Sequence, residues 1–136
     1  MITLNIKNNI EDLARLAPFI DEVAEAFDIA PDITFQLNLA LDEALANSVD
    51  YAYPAGTEGS VILEADKTED VIIFRLIDEG AEFDPTQGGN DVDTTLSAEN
   101  RPIGGLGIFL IKQMMDEMIY ERKENKNILT LKKQIK

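Results

Sequence analysis

Glu43 and Asn47 stand four residues apart in the stretch LDEALANSVDYAY. At 100° per residue of an α-helix, Gln36, Glu43, Asn47 and Asp50 share a stripe about 60° wide. Leu39 and Ala46 border the stripe on one side, Ile33 and Ala44 on the other. A polar stripe bounded by apolar residues on both sides suits an internal site. A carboxylate there can act as a general base. An asparagine offers a neutral oxygen to a hard cation such as Mg²⁺, which takes few protein ligands and fills its shell with phosphate and water. Taken alone, the same stripe also fits a solvated helix face with an i,i+4 pair.

A second set of polar groups closes an apolar run in LIDEGAEFDP, where Asp78 stands as the strand ends and Gly80 follows. A carboxylate at that point can accept a hydrogen bond from an exocyclic amino group. Gly80 lets a flat ring approach the backbone. The alternative is an ordinary strand-ending turn. The third set is GGLGIFLIKQMMDE, residues 104–117, where a helix with Leu106, Leu110, Met114 and Met118 on its apolar side begins in glycine. Glycine disfavours a helix interior, so Gly104, Gly105 and Gly107 call for another reason. The free N–H groups of a helix start, at the positive end of its dipole, suit a phosphate. A plain loop-to-helix hinge would read the same way. Residues 84–102, between the second and third sets, carry Asp84, Asp91, Asp93 and Glu99 with no basic residue before Arg101. An acidic loop repels a bare triphosphate, but tolerates one that arrives with magnesium and meets Arg101.

The elements that hold these groups follow from periodicity. Residues 2–7 alternate as a strand. Ile10, Leu13, Leu16, Ile20, Val23 and Phe27 recur at helical spacing behind Asn9, a plausible N-cap, with Pro18 as a bend or break. Pro31 fits the first turn of a second helix reaching about Tyr51. SVILEADK and DVIIFRLID read as strands joined by a turn, and MIYERKE and NILTLKKQIK as a closing hairpin. Grouped helices between hairpin-linked strands predict an α+β sandwich with the helices on one face.

The chain has 136 residues, which suits one domain over 1–136, and a net charge of −14. That charge argues against nucleic acid as a direct partner. Residues 121–136 carry +4 and the first 120 carry −18. There is no cysteine and no histidine, which excludes disulfides, thiolate chemistry and histidine ligands or bases. No apolar run approaches the length of a membrane span, and the N-terminus lacks a signal pattern, so a cytoplasmic protein is expected.

The three motifs, in this order, resemble the GHKL ATP-binding fold, whose members include gyrase, Hsp90, histidine kinases and the anti-sigma-factor serine kinases. DEALANSVDYAYP, DEGAEFDP and GGLGIFLIKQMMDE are most similar to the last group, and the resemblance covers essentially the whole chain. It implies a Bergerat-type two-layer sandwich, a mixed and mostly antiparallel sheet with helices on one face, and a long ATP lid over 84–102. It implies an ATP-dependent serine/threonine-protein kinase that uses Mg²⁺, with Glu43 as general base and Asn47 as metal ligand. Asp78 would bind the adenine amino group with Gly80 beside the ring. Asp50, Phe83, Arg101 and Gly104 would border the nucleotide, and Gly105, Leu106 and Gly107 would turn backbone amides to the phosphates. The implied substrate is a STAS-domain anti-anti-sigma protein in a partner-switching pathway. A sigma factor or other regulator as second partner, and a homodimer, also follow from the resemblance. A non-catalytic ATP-gated binding module is the alternative. The sequence departs from the family at Tyr51, where a histidine is frequent, and at Ile103 and Gly104, where some members carry arginine. Lys126 and Asn127 stand where many relatives have Gly-Thr, so Asn127 would serve the adenine through its carboxamide.

Overall fold

The computed structural model describes residues 1–49, 53, 57–87 and 105–135. Strand β1 (Ile2–Lys7) leads into α1 (Ile10–Leu13), α2 (Leu16–Phe27) and α3 (Pro31–Asn47). Strands β2 (Ser60–Thr68) and β3 (Val71–Asp78) follow, then a short 3₁₀ turn at Pro85–Gln87, α4 (Gly105–Met114), β4 (Glu117–Lys123) and β5 (Lys126–Gln134). The sheet order is β1-β2-β3-β5-β4. Every pair recorded among the described residues is antiparallel.

The anticipated helix over residues 9–27 is two helices. Asn9 caps α1 as expected: its Oδ1 accepts from the Asp12 N–H at 2.7 Å. The Asp12 carboxylate in turn accepts from the Lys7 N–H at 2.7 Å, which ties the cap to the end of β1. The break falls at Ala14 and Arg15, before Pro18 rather than at it. Pro18 is the third residue of α2, where a missing N–H costs no helical hydrogen bond. Pro31 opens α3 from the extended Ala30. At the far end, Met118 is not on the glycine-started helix: α4 stops at Met114, and Met118 lies in β4 opposite Leu131.

Register rows explain the core. Leu4, Leu63, Leu76, Leu129 and Tyr120 face one another across the five strands. The neighbouring row holds Ile2, Ala65, Phe74, Leu131 and Met118. Both rows face the helices, where Phe19, Ile20 and Val23 of α2, Leu37, Leu41 and Leu45 of α3, and Ile111 of α4 complete one continuous cluster. Each leucine or isoleucine buried this way contributes roughly 1.5–3 kcal/mol. On the open face, alternate residues such as Glu64, Arg75 and Thr130 remain at least partly exposed. The β4–β5 hairpin turns on two residues, Glu124 and Asn125, both left-handed at φ 53° and 64°. Two such residues make a type I′ turn, whose twist matches that of the strands it joins.

Candidate nucleotide site

α3 carries the first two candidate side chains from half-exposed surface into the interior. Gln36 and Glu43 are intermediate in burial and Asn47 is buried, while Leu39 is 38% exposed. The predicted polar stripe is therefore a ramp from surface to interior rather than a uniformly internal strip. Asn47 is the last residue of α3, and its Nδ2 is buried with no hydrogen-bond partner among the described residues. A buried amide without a partner costs about 1–3 kcal/mol. Turning the carboxamide by half a rotation presents its oxygen instead.

Next to this helix end, α3 packs directly on α4. A side chain added at Gly107 would put its Cβ 2.6 Å from Glu43 Oε2. The Glu43 carboxylate therefore rests against the first turns of the glycine-started helix, as the two motifs would require if they served one ligand.

The third group comes from a further register row. Ile6, Val61, Asp78, Asn127 and Arg122 lie side by side across all five strands. Asp78 and Asn127 are 4% and 5% exposed, so a carboxylate and a carboxamide stand where the rows beside them carry leucine. Asp78 Oδ1 accepts from the Gly80 N–H at 3.0 Å and from Asn127 Nδ2 at 2.8 Å. Oδ2 takes no hydrogen bond among the described residues.

Asn127 does something the sequence reading missed. Its Nδ2 also donates to Ala81 O at 2.8 Å. Its Oδ1 accepts from the Phe83 N–H at 3.3 Å, from Tyr120 Oη at 2.5 Å and from an Arg122 guanidinium N–H at 3.2 Å. The same Arg122 nitrogen donates to Gly80 O at 2.8 Å. The carboxamide is thus fully committed to the protein's own groups. It lines the site, but it holds Asp78 and the 80–83 loop rather than offering a free amide to a base. Only the register of β3, β5 and β4 reveals this, and no local motif carries that register. Burial holds the Tyr120 hydroxyl above the usual tyrosine pKa, assisted by nearby Glu82 and opposed by Arg122, so it remains a donor at neutral pH.

These groups surround a cavity of about 20 Å³ bounded by Ala44, Asn47, Asp78, Phe83, Ile111 and Leu129, among others. One water needs roughly 10–15 Å³ by this measure, so the cavity admits a water and not a purine. A flat base enters only if a wall gives way. Phe83 and Pro85 are the walls drawn from the irregular stretch after β3. That stretch is braced by Asp84 Oδ1, which accepts from the Thr86 N–H at 2.9 Å, and by Lys112 Nζ of α4, which donates to Thr86 O at 2.9 Å. Among the described residues no cluster of three or more carboxylates could hold a metal ion. The donor set here, one asparagine with an open amide, fits a cation that arrives with phosphates.

Of the predicted site residues, Glu43, Asn47, Asp78, Gly80, Phe83, Gly107 and Asn127 converge on this region, and Gly105 and Leu106 begin α4 beside it. Asp50, Arg101 and Gly104 lie outside the described residues, as does the expected lid beyond Gln87. No helix among the described residues is long and apolar enough to cross a membrane.

Comparison with known proteins places the chain in a family. A family model described as the histidine kinase-like ATPase domain matches residues 6–133. The chain is 31% identical over 122 residues to the serine-protein kinase RsbW of Listeria monocytogenes, covering 86% of this chain and 76% of that one. It is 32% identical over 99 residues to the serine/threonine-protein kinase BtrW of Bordetella bronchiseptica, covering 73% and 69%. Among solved structures, the RsbU and RsbW domains of Rv1364c from Mycobacterium tuberculosis superpose with a TM-score of 0.67 at 14% identity, over 99% of this chain and 33% of that one. The mycobacterial sensor histidine kinase MprB gives 0.57 at 12% identity, over 98% and 97%. At those identities the structures speak for the fold alone. The chain belongs to the histidine kinase-like ATPase domain family and to its serine/threonine-protein kinase branch.

Proposed function

We propose that the chain phosphorylates a serine or threonine on a STAS-domain anti-anti-sigma protein, drawing on cytoplasmic Mg-ATP, and so acts as an anti-sigma-type switch in a partner-switching pathway. The observation that carries this reading is the meeting of α3 and α4. The Glu43 carboxylate lies against the glycine-started helix, one helical turn before an asparagine whose amide is buried and open. The names of the sequence relatives support the kinase chemistry, and the resemblance read from the motifs supplies the STAS partner, a sigma factor as second partner, and a homodimer. A surface of net charge −14 favours protein partners over nucleic acid.

The residues divide the work. Asp78 Oδ2 accepts from the adenine amino group, and Asp78 is kept in place for this by Gly80 and Asn127. Phe83 closes over the base. Asn47 offers its carboxamide oxygen to the cation. Gly105, Leu106 and Gly107 direct the N-terminal N–H groups of α4 at the phosphates, and the resemblance assigns Gly104, Arg101 and Asp50 to the same nucleotide. When bound, Mg-ATP supplies the phosphoryl group and the metal offsets its charge. Glu43 would take the proton from the attacking hydroxyl as its oxygen bonds to the γ-phosphorus, while the bond from that phosphorus to the β–γ bridging oxygen breaks and ADP is the leaving group.

Glu43 and Asn47 should fail differently when altered. Glu43→Gln keeps shape and loses the basic oxygen; it should retain Mg-ATP affinity and slow transfer by roughly 10²–10⁴-fold. Asn47→Ala should weaken Mg-ATP binding itself. Calorimetry and single-turnover transfer to a STAS-domain partner measure both. Transfer at the wild-type rate by Glu43→Gln removes the base assignment. A wild-type chain that binds ATP and partner and never transfers is an ATP-gated binding module.

A further inference from the structure

A glycine near the start of a phosphate-binding helix is ordinarily credited to the phosphate. At Gly107 the crowding comes from the protein itself. The three heavy atoms nearest to a Cβ built there all belong to Glu43: Oε2 at 2.6 Å, Cδ at 3.5 Å and Cβ at 3.8 Å. The first distance is below 3.0 Å, which real Cβ atoms essentially never show, so a larger residue must move its neighbour. What would move is the far end of a flexible side chain, not backbone. The fold can therefore accommodate a methyl group at this position, and α4 would gain from it, because alanine is the better helix former. Glycine stands here against helix propensity, and the space its missing side chain leaves is taken by the Glu43 carboxylate.

We propose that Gly107 is a positioning residue for Glu43. Its missing side chain keeps open the space in which the carboxylate rests against the first turns of α4, near the positive end of that helix. The inference builds on the reading of Glu43 as the base. A base displaced by about an ångström from its reacting proton loses on the order of 10²-fold in rate. Gly107 thus guards the chemical step, separately from any contact between its own N–H and a phosphate.

The test compares Gly107→Ala with the wild type. Three measurements apply: thermal midpoint, calorimetric affinity for Mg-ATP, and single-turnover transfer of labelled phosphate to a STAS-domain partner. Crystal structures of both proteins locate the Glu43 carboxylate. The expected result is an undiminished midpoint, Mg-ATP affinity within about twofold, a carboxylate shifted away from α4, and transfer slowed about 10²-fold. Combined with Glu43→Gln, Gly107→Ala should add little further loss, because both act on one group. An affinity loss of tenfold or more with the carboxylate unmoved overturns the proposal and returns the glycine to the phosphates. If Gly107→Ala does not fold, the pair Glu43→Ala with Gly107→Ala removes the crowded atoms. It should then fold and bind Mg-ATP as Glu43→Ala does, and failure to do so also overturns the proposal. The outcome stays separable from the base assignment. A wild-type transfer rate in Glu43→Gln would sink the base, whereas the position of the carboxylate in Gly107→Ala is read directly from the crystal.

Discussion

Two register rows of the same sheet start alike and end differently. One runs through Leu4, Leu63, Leu76, Leu129 and Tyr120, apolar until its last member. Its neighbour begins with Ile6 and Val61 and then turns to Asp78, Asn127 and Arg122. Both face the helices. On the β1–β2 side the second row is ordinary core, and Val61 is fully buried. On the β3–β5–β4 side the same positions hold a carboxylate, a carboxamide and a guanidinium. Buried polar groups are costly unless paired, and here the pairing is internal: Asn127 links Asp78, Ala81, Phe83, Tyr120 and Arg122. The site is thus a stretch of core rewritten in polar residues and closed on itself by hydrogen bonds. The apolar core runs under all five strands, through Phe74 and Leu131 as well as Leu63, and this row turns polar on the β3–β5–β4 side.

Substitutions on the two sides should separate stability from nucleotide binding. The largest effect is expected from Leu63→Ala, in the wholly apolar part. Leu63 is 1% exposed, and truncating such a leucine costs about 2–5 kcal/mol. Denaturant unfolding should show that loss, while the folded fraction keeps its Mg-ATP affinity. A nucleotide affinity that fell in proportion would mean the two sides are not independent. A smaller effect is expected from Asp78→Ala, which removes a charged acceptor from a buried site. It should cost on the order of 1.5–3 kcal/mol of adenine-nucleotide affinity, tenfold or more by calorimetry. Unchanged ATP affinity would take Asp78 out of the site.

The smallest effect belongs to a tie between the sides. Tyr53 Oη donates to Ser60 O at 2.7 Å and accepts from the Glu79 N–H at 2.9 Å, which fastens the start of β2 to the residue after Asp78. Burial raises the Tyr53 pKa above 10.0, with the negative charges of Asp78 and Glu79 adding to the rise. A value raised in the folded state favours the neutral phenol, so its contribution is present below pH of about 10 and is lost as pH climbs through the folded value. Tyr53→Phe should cost about 1 kcal/mol at neutral pH. Its stability should then fall less steeply than the wild type's as pH rises above about 10. Parallel pH profiles for the two proteins would show that the phenol does not titrate with unfolding.

How much of this could be read from the sequence depends on how far apart the interacting residues lie in the chain. Asp78 and Gly80 announce themselves because a strand end and a turn are local. Glu43 and Asn47 share a helix face by spacing alone. The break before Pro18 was less legible, since proline suits the first turn of a helix as well as a kink, and only the packing of α2 decides. Met118 continues the apolar spacing of α4 on paper, but it belongs to β4, because a strand and a helix can share a short apolar run. The commitment of Asn127 was hidden altogether. It depends on Asp78, Tyr120 and Arg122 arriving in adjacent strands, which a linear pattern does not encode.

The two left-handed residues at Glu124 and Asn125 have a bearing on how this protein can change over generations. They set which residues of β5 face inward. A single codon gained or lost in that turn would slide β5 by one place against β4, sending alternate side chains to the opposite face. Asn127 would then turn outward and a lysine or an isoleucine would stand beside Asp78. The hairpin can tolerate exchange of amino acids far better than a change in their number. Descendants of this gene should therefore keep the count at two and fill it with residues that accept a left-handed backbone, such as asparagine, aspartate or glycine.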